Sequence, residues 1–197
     1  MIHSLMSTWP LFFGLTLIMI GNGIQVILIG LRASAAGFSN LLIGIMMAGY
    51  FLGIFIGSII ITKTLSEVGH VRTFGALAAI ASASVLLYVL SENPYAWSVL
   101  RFITGFCYAG MYIVVESWLN GKATNETRGQ ILSIYMITTM ASLGAGQLIG
   151  GVDDGISIDL FLFASILVSV AVVPVLIFAT KVPEFEAPEL VSLRRLV

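Results

Sequence analysis

The sequence predicts an all-α polytopic membrane protein of six transmembrane helices, on three observations. Of 197 residues, 58% are hydrophobic and only 10% charged, against roughly 25% charged in soluble domains. So few charges cannot cover a water-facing surface, and the mean hydropathy of +1.05 agrees. The apolar residues also fall into six runs near the length a helix needs to cross hydrocarbon, about 20 residues.

The first run, residues 9–31, is longer than the apolar stretch of a cleavable signal, and no small-residue cleavage site with a soluble domain follows it. Gly21-Asn22-Gly23 and Gln25 lie near its midpoint. Amides at that depth are costly unless hydrogen-bonded, and the glycines let the backbone loosen or approach a neighbour. Asn22 and Gln25 are therefore candidates for solute contact or for an interhelical hydrogen bond. The second run, 40–61, carries Gly49, Gly53 and Gly57 at four-residue intervals, a small-residue face suited to close helix packing. The third is 73–90.

The fourth run, 97–119, holds Arg101, about 10 Å from the helix centre at the rise of 1.5 Å per residue. A charge there costs roughly 2.5–3.5 kcal/mol on insertion scales and usually faces a partner or a wet cavity. Arg101, Gly105, Tyr108 and Tyr112 recur at helical spacing, with Glu116 near the same face towards the far end. This stripe reads as one wall of a wet path. The alternative is an Arg101 that snorkels or caps a neighbour's carbonyls.

The fifth run, 130–150, carries Tyr135, Thr138 and Thr139 and then Gly144, Gly146, Gly150 and Gly151. Tyr135 is the better cavity candidate, because threonine hydroxyls satisfy their own helix carbonyls. The glycines read as a tight contact or a pliable bend. The sixth run is 160–180. Beyond it, 181–197 reads as a linker opening into an amphipathic helix after Pro188.

Lys63, Arg72, Lys122, Arg128, Lys181, Arg194 and Arg195 all follow even-numbered runs, and Arg32 alone lies in an opposite-side loop. By the positive-inside rule both termini are cytoplasmic. The sequon Asn125-Glu-Thr127 then falls in the cytoplasm, where it is not used. His70, in the loop beside Arg72, reads as a surface histidine.

Several function classes fall away. A net charge of −1 offers no basic surface for nucleic acid. Only His3 and His70 exist, so no paired-histidine metal site is expected. No dinucleotide fingerprint occurs, because Gly144-x-Gly146-x-x-Ile149 lacks the third glycine. Neither a serine-hydrolase elbow nor a carboxylate pair at membrane depth appears. We expect no enzyme and no cofactor.

The arrangement resembles the amino-terminal half of a major facilitator superfamily transporter. Gly57, Gly69 and Arg72 match that superfamily's loop between helices two and three, with Ser66 and Glu67 where an aspartate and an arginine are usual. Arg101 with Gly105, Ala109 and Gly110 matches its fourth-helix motif, whose arginine is associated with proton coupling. Gly146-Gln-Leu-Ile-Gly150-Gly151 is similar to the antiporter motif of helix five, with Gln147 in place of proline. Glu116-Ser-Trp-Leu-Asn120 and Arg128-Gly-Gln are similar to a bacterial, YcaD-like subgroup.

The resemblance implies a 3+3 inverted repeat in residues 1–180, with 181–197 starting the linker to a missing second bundle. That bundle is either the rest of a longer chain or a second copy. It implies a proton-coupled secondary transporter of a small solute in a bacterial inner membrane, with Asn22, Gln25, Tyr108, Tyr112 and Tyr135 facing solute. Arg101, Glu116, Glu67 and Arg72 would serve coupling or gating. The alternative is a non-transporting membrane sensor or interaction protein that keeps the bundle.

Overall fold

The computed structural model describes the backbone of residues 2–90, 92–152 and 157–178 and the side chains of 9–90, 92–152 and 157–177. Among these the regular elements are all helices: α1 (Ile2–Ala35), α2 (Asn40–Val68), α3 (His70–Leu90), α4 (Pro94–Lys122), α5 (Arg128–Gly150), α6 (Asp159–Val170) and α7 (Val172–Phe178). Six stretches are long and apolar enough to cross a membrane, α6 and α7 together forming the sixth. The expected spans and the architecture stand; the helices run past the apolar runs at several ends, since a helix does not stop where hydrocarbon does. The linker expected over 181–197 lies outside the described residues, as does the end of the sixth expected run, 179–180.

Local chemistry sets the boundaries. Ser39 caps α2, its hydroxyl accepting from the Leu42 N–H at 3.4 Å. Asn93 caps α4, its side-chain oxygen accepting from the Tyr95 and Ala96 N–H groups at 2.9 and 3.3 Å, with Pro94 in the first helical position where its missing N–H costs nothing. Gly69 ends α2 at φ 87°, a backbone region a side chain would strain. The sixth span breaks at Ala171 because Pro174 cannot donate to the Val170 carbonyl and its ring crowds that group.

The most extensive helix pairings are α2 with α4 and α1 with α5, followed by α3 with α4 and α1 with α6. Exchanging α1, α2, α3 for α4, α5, α6 converts each pairing into its counterpart. Three spans are an odd number, so the second set runs inverted. The symmetry reaches single residues. In α2–α4, Gly53 lies on the Phe102 carbonyl and Gly105 on the Tyr50 carbonyl; in α1–α5, Gly146 lies on the Ile20 carbonyl and Gly23 on the Leu143 carbonyl. Gly57 and Gly150 repeat the pattern against Phe106 and Ile24, where an added Cβ would meet carbonyl oxygens at 2.9 and 3.0 Å. Where α3 meets α6 the exchange maps the contact onto itself: Ser82 Oγ donates to the Ser165 carbonyl at 3.1 Å, and Ser165 Oγ to the Ser82 carbonyl at 3.2 Å.

Lipid tails are as apolar as leucine, so helices in a membrane associate through close packing and hydrogen bonds rather than a hydrophobic drive. The glycine contacts supply that packing. Large apolar side chains such as Phe51, Phe55 and Ile59 of α2 and Ile137, Met140 and Leu148 of α5 point away from the bundle.

Gly53→Ala or Gly105→Ala places a methyl group against a neighbour's backbone, which cannot swing aside, and each lowers stability by about 1–3 kcal/mol. Gly44→Ala, whose Cβ meets nothing within 4 Å, is neutral or stabilising by up to about 1 kcal/mol. Unfolding of the detergent-solubilised variants measures both.

Candidate functional site

A cluster of buried polar side chains lies where α1, α2 and α4 approach. On α1, Asn22 and Gln25 are both buried. The Asn22 amide N–H₂ donates to the Tyr50 hydroxyl at 3.2 Å and to the Tyr112 hydroxyl at 3.1 Å. The Gln25 amide N–H₂ donates to the Tyr108 hydroxyl at 2.8 Å and to its own helix at the Gly21 carbonyl, 3.3 Å away. Two amides of one helix thus bind three phenols on two others. The side-chain oxygens of Asn22 and Gln25 have no hydrogen-bond partner, at a cost of about 1–3 kcal/mol for each such buried group.

Arg101 adjoins this network and is 3% exposed. It neither snorkels nor caps a helix. One terminal nitrogen, Nη2, donates to the Met47 thioether at 3.2 Å, a weak acceptor. Its guanidinium carbon stands 4.6 Å from the centroid of the Tyr50 ring, in cation–π range. Its Nε and Nη1 have no hydrogen-bond partner. An ion pair lies elsewhere: Arg32 meets Glu92 at 3.3 Å, and its guanidinium carbon lies 5.5 Å from the Phe161 ring centroid. The one loop arginine that departs from the charge bias is thereby paired. Arg101 is a buried cation held by an aromatic face and a sulfur.

Three of the four residues of the α4 stripe, Arg101, Tyr108 and Tyr112, join the α1 amides in this cluster. The fourth, Gly105, serves packing against Tyr50. Tyr135 is buried in the apolar core with Ile131 and Trp118, and its carbonyl accepts from the Thr139 hydroxyl at 2.8 Å; it does not take part in the network's hydrogen bonds. Glu67, Arg72 and Glu116 are exposed and lie outside the polar network. His70 is a correction. It is 2% exposed, not a surface residue, because α3 begins at His70 and turns the ring inward. There it bonds the Ser117 hydroxyl at 3.0 Å and packs edge-on to Trp118 at 5.6 Å.

Sequence reasoning missed Tyr50 and Met47. A signal for Tyr50 existed: it falls on the face of α2 that carries Gly53 and Gly57, and hence on the side that meets α4. Met47 carried no signal, since a methionine in an apolar span looks like any other core residue.

Comparison with known proteins adds family context. The family model described as Major Facilitator Superfamily matches residues 11–195. An uncharacterised MFS-type transporter of Yersinia enterocolitica, YE1530, is 27% identical over 166 residues, covering 84% of this chain and 44% of the relative. A Yersinia pseudotuberculosis counterpart is 25% identical over the same shares. The uncharacterised MFS-type transporter YcaD of Escherichia coli is 26% identical over 139 residues, covering 71% of this chain and 36% of the relative. The chain spans less than half the length of these curated relatives.

A buried charge without a carboxylate is a stability liability, and similar-sized apolar replacements of buried ions are often neutral or stabilising. Arg101→Met, which keeps the volume and removes the unpaired donors, leaves stability unchanged or raises it by up to about 2 kcal/mol. Arg101→Ala, which opens a cavity, lowers it by about 2 kcal/mol or more. Detergent unfolding midpoints of the two variants separate the effects of charge and volume.

Proposed function

This chain belongs to the major facilitator superfamily, and we propose that it forms the amino-terminal half of a proton-coupled secondary transporter of a small solute that works by alternating access. The observation that carries the proposal is the buried polar network of Asn22, Gln25, Tyr50, Tyr108 and Tyr112. Polar groups inside a membrane are expensive and mark solute or ion pathways. Transporters of this architecture bind solute near the midplane between two bundles. In this reading Asn22, Gln25, Tyr108 and Tyr112 meet the solute once the helices part, with Tyr135 lower along the same path.

The second bundle is the remainder of a longer chain or a second copy. A chain spanning 44% of its relatives supports the former. We place residues 1–180 in the first bundle and 181–197 in the linker, and assign both termini to the cytoplasm of a bacterial inner membrane, from the distribution of lysine and arginine.

Arg101 does not itself exchange a proton in the physiological range. Its role in coupling is electrostatic: it lowers the proton affinity of an acid that approaches it. The described residues bring no carboxylate to Arg101 within ion-pair distance, so we assign the proton carrier to the second bundle. Glu116 and Arg72, on the cytoplasmic side and of opposite charge, form a gate pair in the state in which that side is closed, and Glu67 offers Arg72 a second partner.

Proteoliposomes of the full-length protein, given a proton gradient and a panel of small solutes, test the proposal. Arg101→Ala lowers coupled transport at least about tenfold, the effect of some 1.4 kcal/mol. Arg101→Lys retains partial activity, keeping the charge without the planar fork. Full coupling in both variants refutes the role of Arg101, and wild-type liposomes that move no solute refute transport. Charge reversal at Glu116 or at Arg72 impairs transport, and the double swap partly restores it; no rescue counts against the pair.

A further inference from the structure

Tyr50 is held in three independent ways. Its backbone carbonyl lies against Gly105 of α4. Its ring lies under the Arg101 guanidinium, 4.6 Å from centroid to carbon, and beside the Tyr108 ring, 6.4 Å between centroids. Its hydroxyl accepts from the Asn22 amide at 3.2 Å, and that same amide donates to Tyr112 at 3.1 Å. The residue is 7% exposed, so it has little room to adopt another rotamer while these contacts stand.

Arg101 is on α4 and Asn22 on α1, and no hydrogen bond joins them. The Tyr50 ring lies between, with the cation against its face and the amide at its hydroxyl. A guanidinium that shifts takes the ring with it, because the cation–π attraction and the burial of Tyr50 leave the phenol one favourable seat. A moving phenol in turn releases Asn22 and Tyr112, whose side chains both meet the Tyr50 hydroxyl. We propose that Tyr50 is the positioning residue through which Arg101 acts on Asn22 and Tyr112. The inference rests on the transport reading for what the coupling is for, not for the coupling itself.

The test therefore uses a readout that needs no solute. Cys107 is the one cysteine of this chain; it is buried, and it neighbours Tyr108 on α4. Its rate of alkylation by N-ethylmaleimide, in full-length protein with any other cysteines replaced, reports how often the packing around α4 opens. Arg101→Met and Asn22→Ala are made singly and together, first with Tyr50 in place and then on a Tyr50→Phe background. Phenylalanine keeps the ring for Arg101 and removes only the hydroxyl, which meets Asn22 and Tyr112.

With Tyr50 present, the rate change in the double variant departs from the product of the single changes by about threefold or more, as residues in one network do. On the Tyr50→Phe background the product rule holds. Independent structural roles give the product rule on both backgrounds and overturn the proposal. A departure that persists with phenylalanine also overturns it, since the coupling then bypasses the hydroxyl. If Arg101→Met does not fold, Arg101→Lys serves in its place, because it disturbs the stacking while keeping the charge. Failure of the transport reading appears separately, as silent proteoliposomes with the coupling intact.

Discussion

Backbone-to-backbone approach at two pairs of glycines is the constraint on which this structure depends. Gly53 with Gly105 and Gly23 with Gly146 let α2 meet α4, and α1 meet α5, with a carbonyl where each Cβ would otherwise stand. In a bilayer such contacts stand in for the hydrophobic drive that is missing there. They also fix helix rotation. Once Gly105 is pressed against Tyr50, residues one turn away on α4 are committed to the same side. The phenols of Tyr108 and Tyr112 then face α1, within reach of Gln25 and Asn22.

The scaffold is symmetric and the chemistry is not. Superposing Gly23 on Gly105 puts Met19 at the position of Arg101, and superposing Gly146 on Gly53 puts Leu143 at the position of Tyr50. The repeat-related counterpart of Asn22 is Thr104, whose hydroxyl donates to the Arg101 carbonyl of its own helix at 3.0 Å. One interface of the duplicated pair therefore carries a cation and a phenol where its twin carries apolar side chains. Glycine packing alone cannot account for that difference, since the apolar twin makes the same carbonyl–glycine contacts.

Energetically the polar cluster is costly to the bundle. Arg101 leaves two donors unpaired, and Asn22 and Gln25 each leave an oxygen unpaired. Buried groups of this kind cost stability that apolar residues of similar volume would not. Local conflicts with stability concentrate at functional sites. The His70–Ser117–Trp118 contact differs in kind: it ties the start of α3 to α4 and leaves the polar network untouched.

The sequence by itself determined the membrane class, the number of spans, the glycine face of α2 and the identity of most polar residues in the site. These depend on composition and on a period along one helix, both of which are local. It also singled out Arg101, because a charge in an apolar run is conspicuous whatever surrounds it. Only the tertiary structure decided what Arg101 touches, that Tyr50 joins it to Asn22, that Tyr135 lies apart from the network and that His70 is buried. Each of those facts depends on which helices are neighbours and how each is rotated, set by carbonyl–glycine contacts between residues far apart in the chain. A helical period shows which residues share a face but not what that face meets.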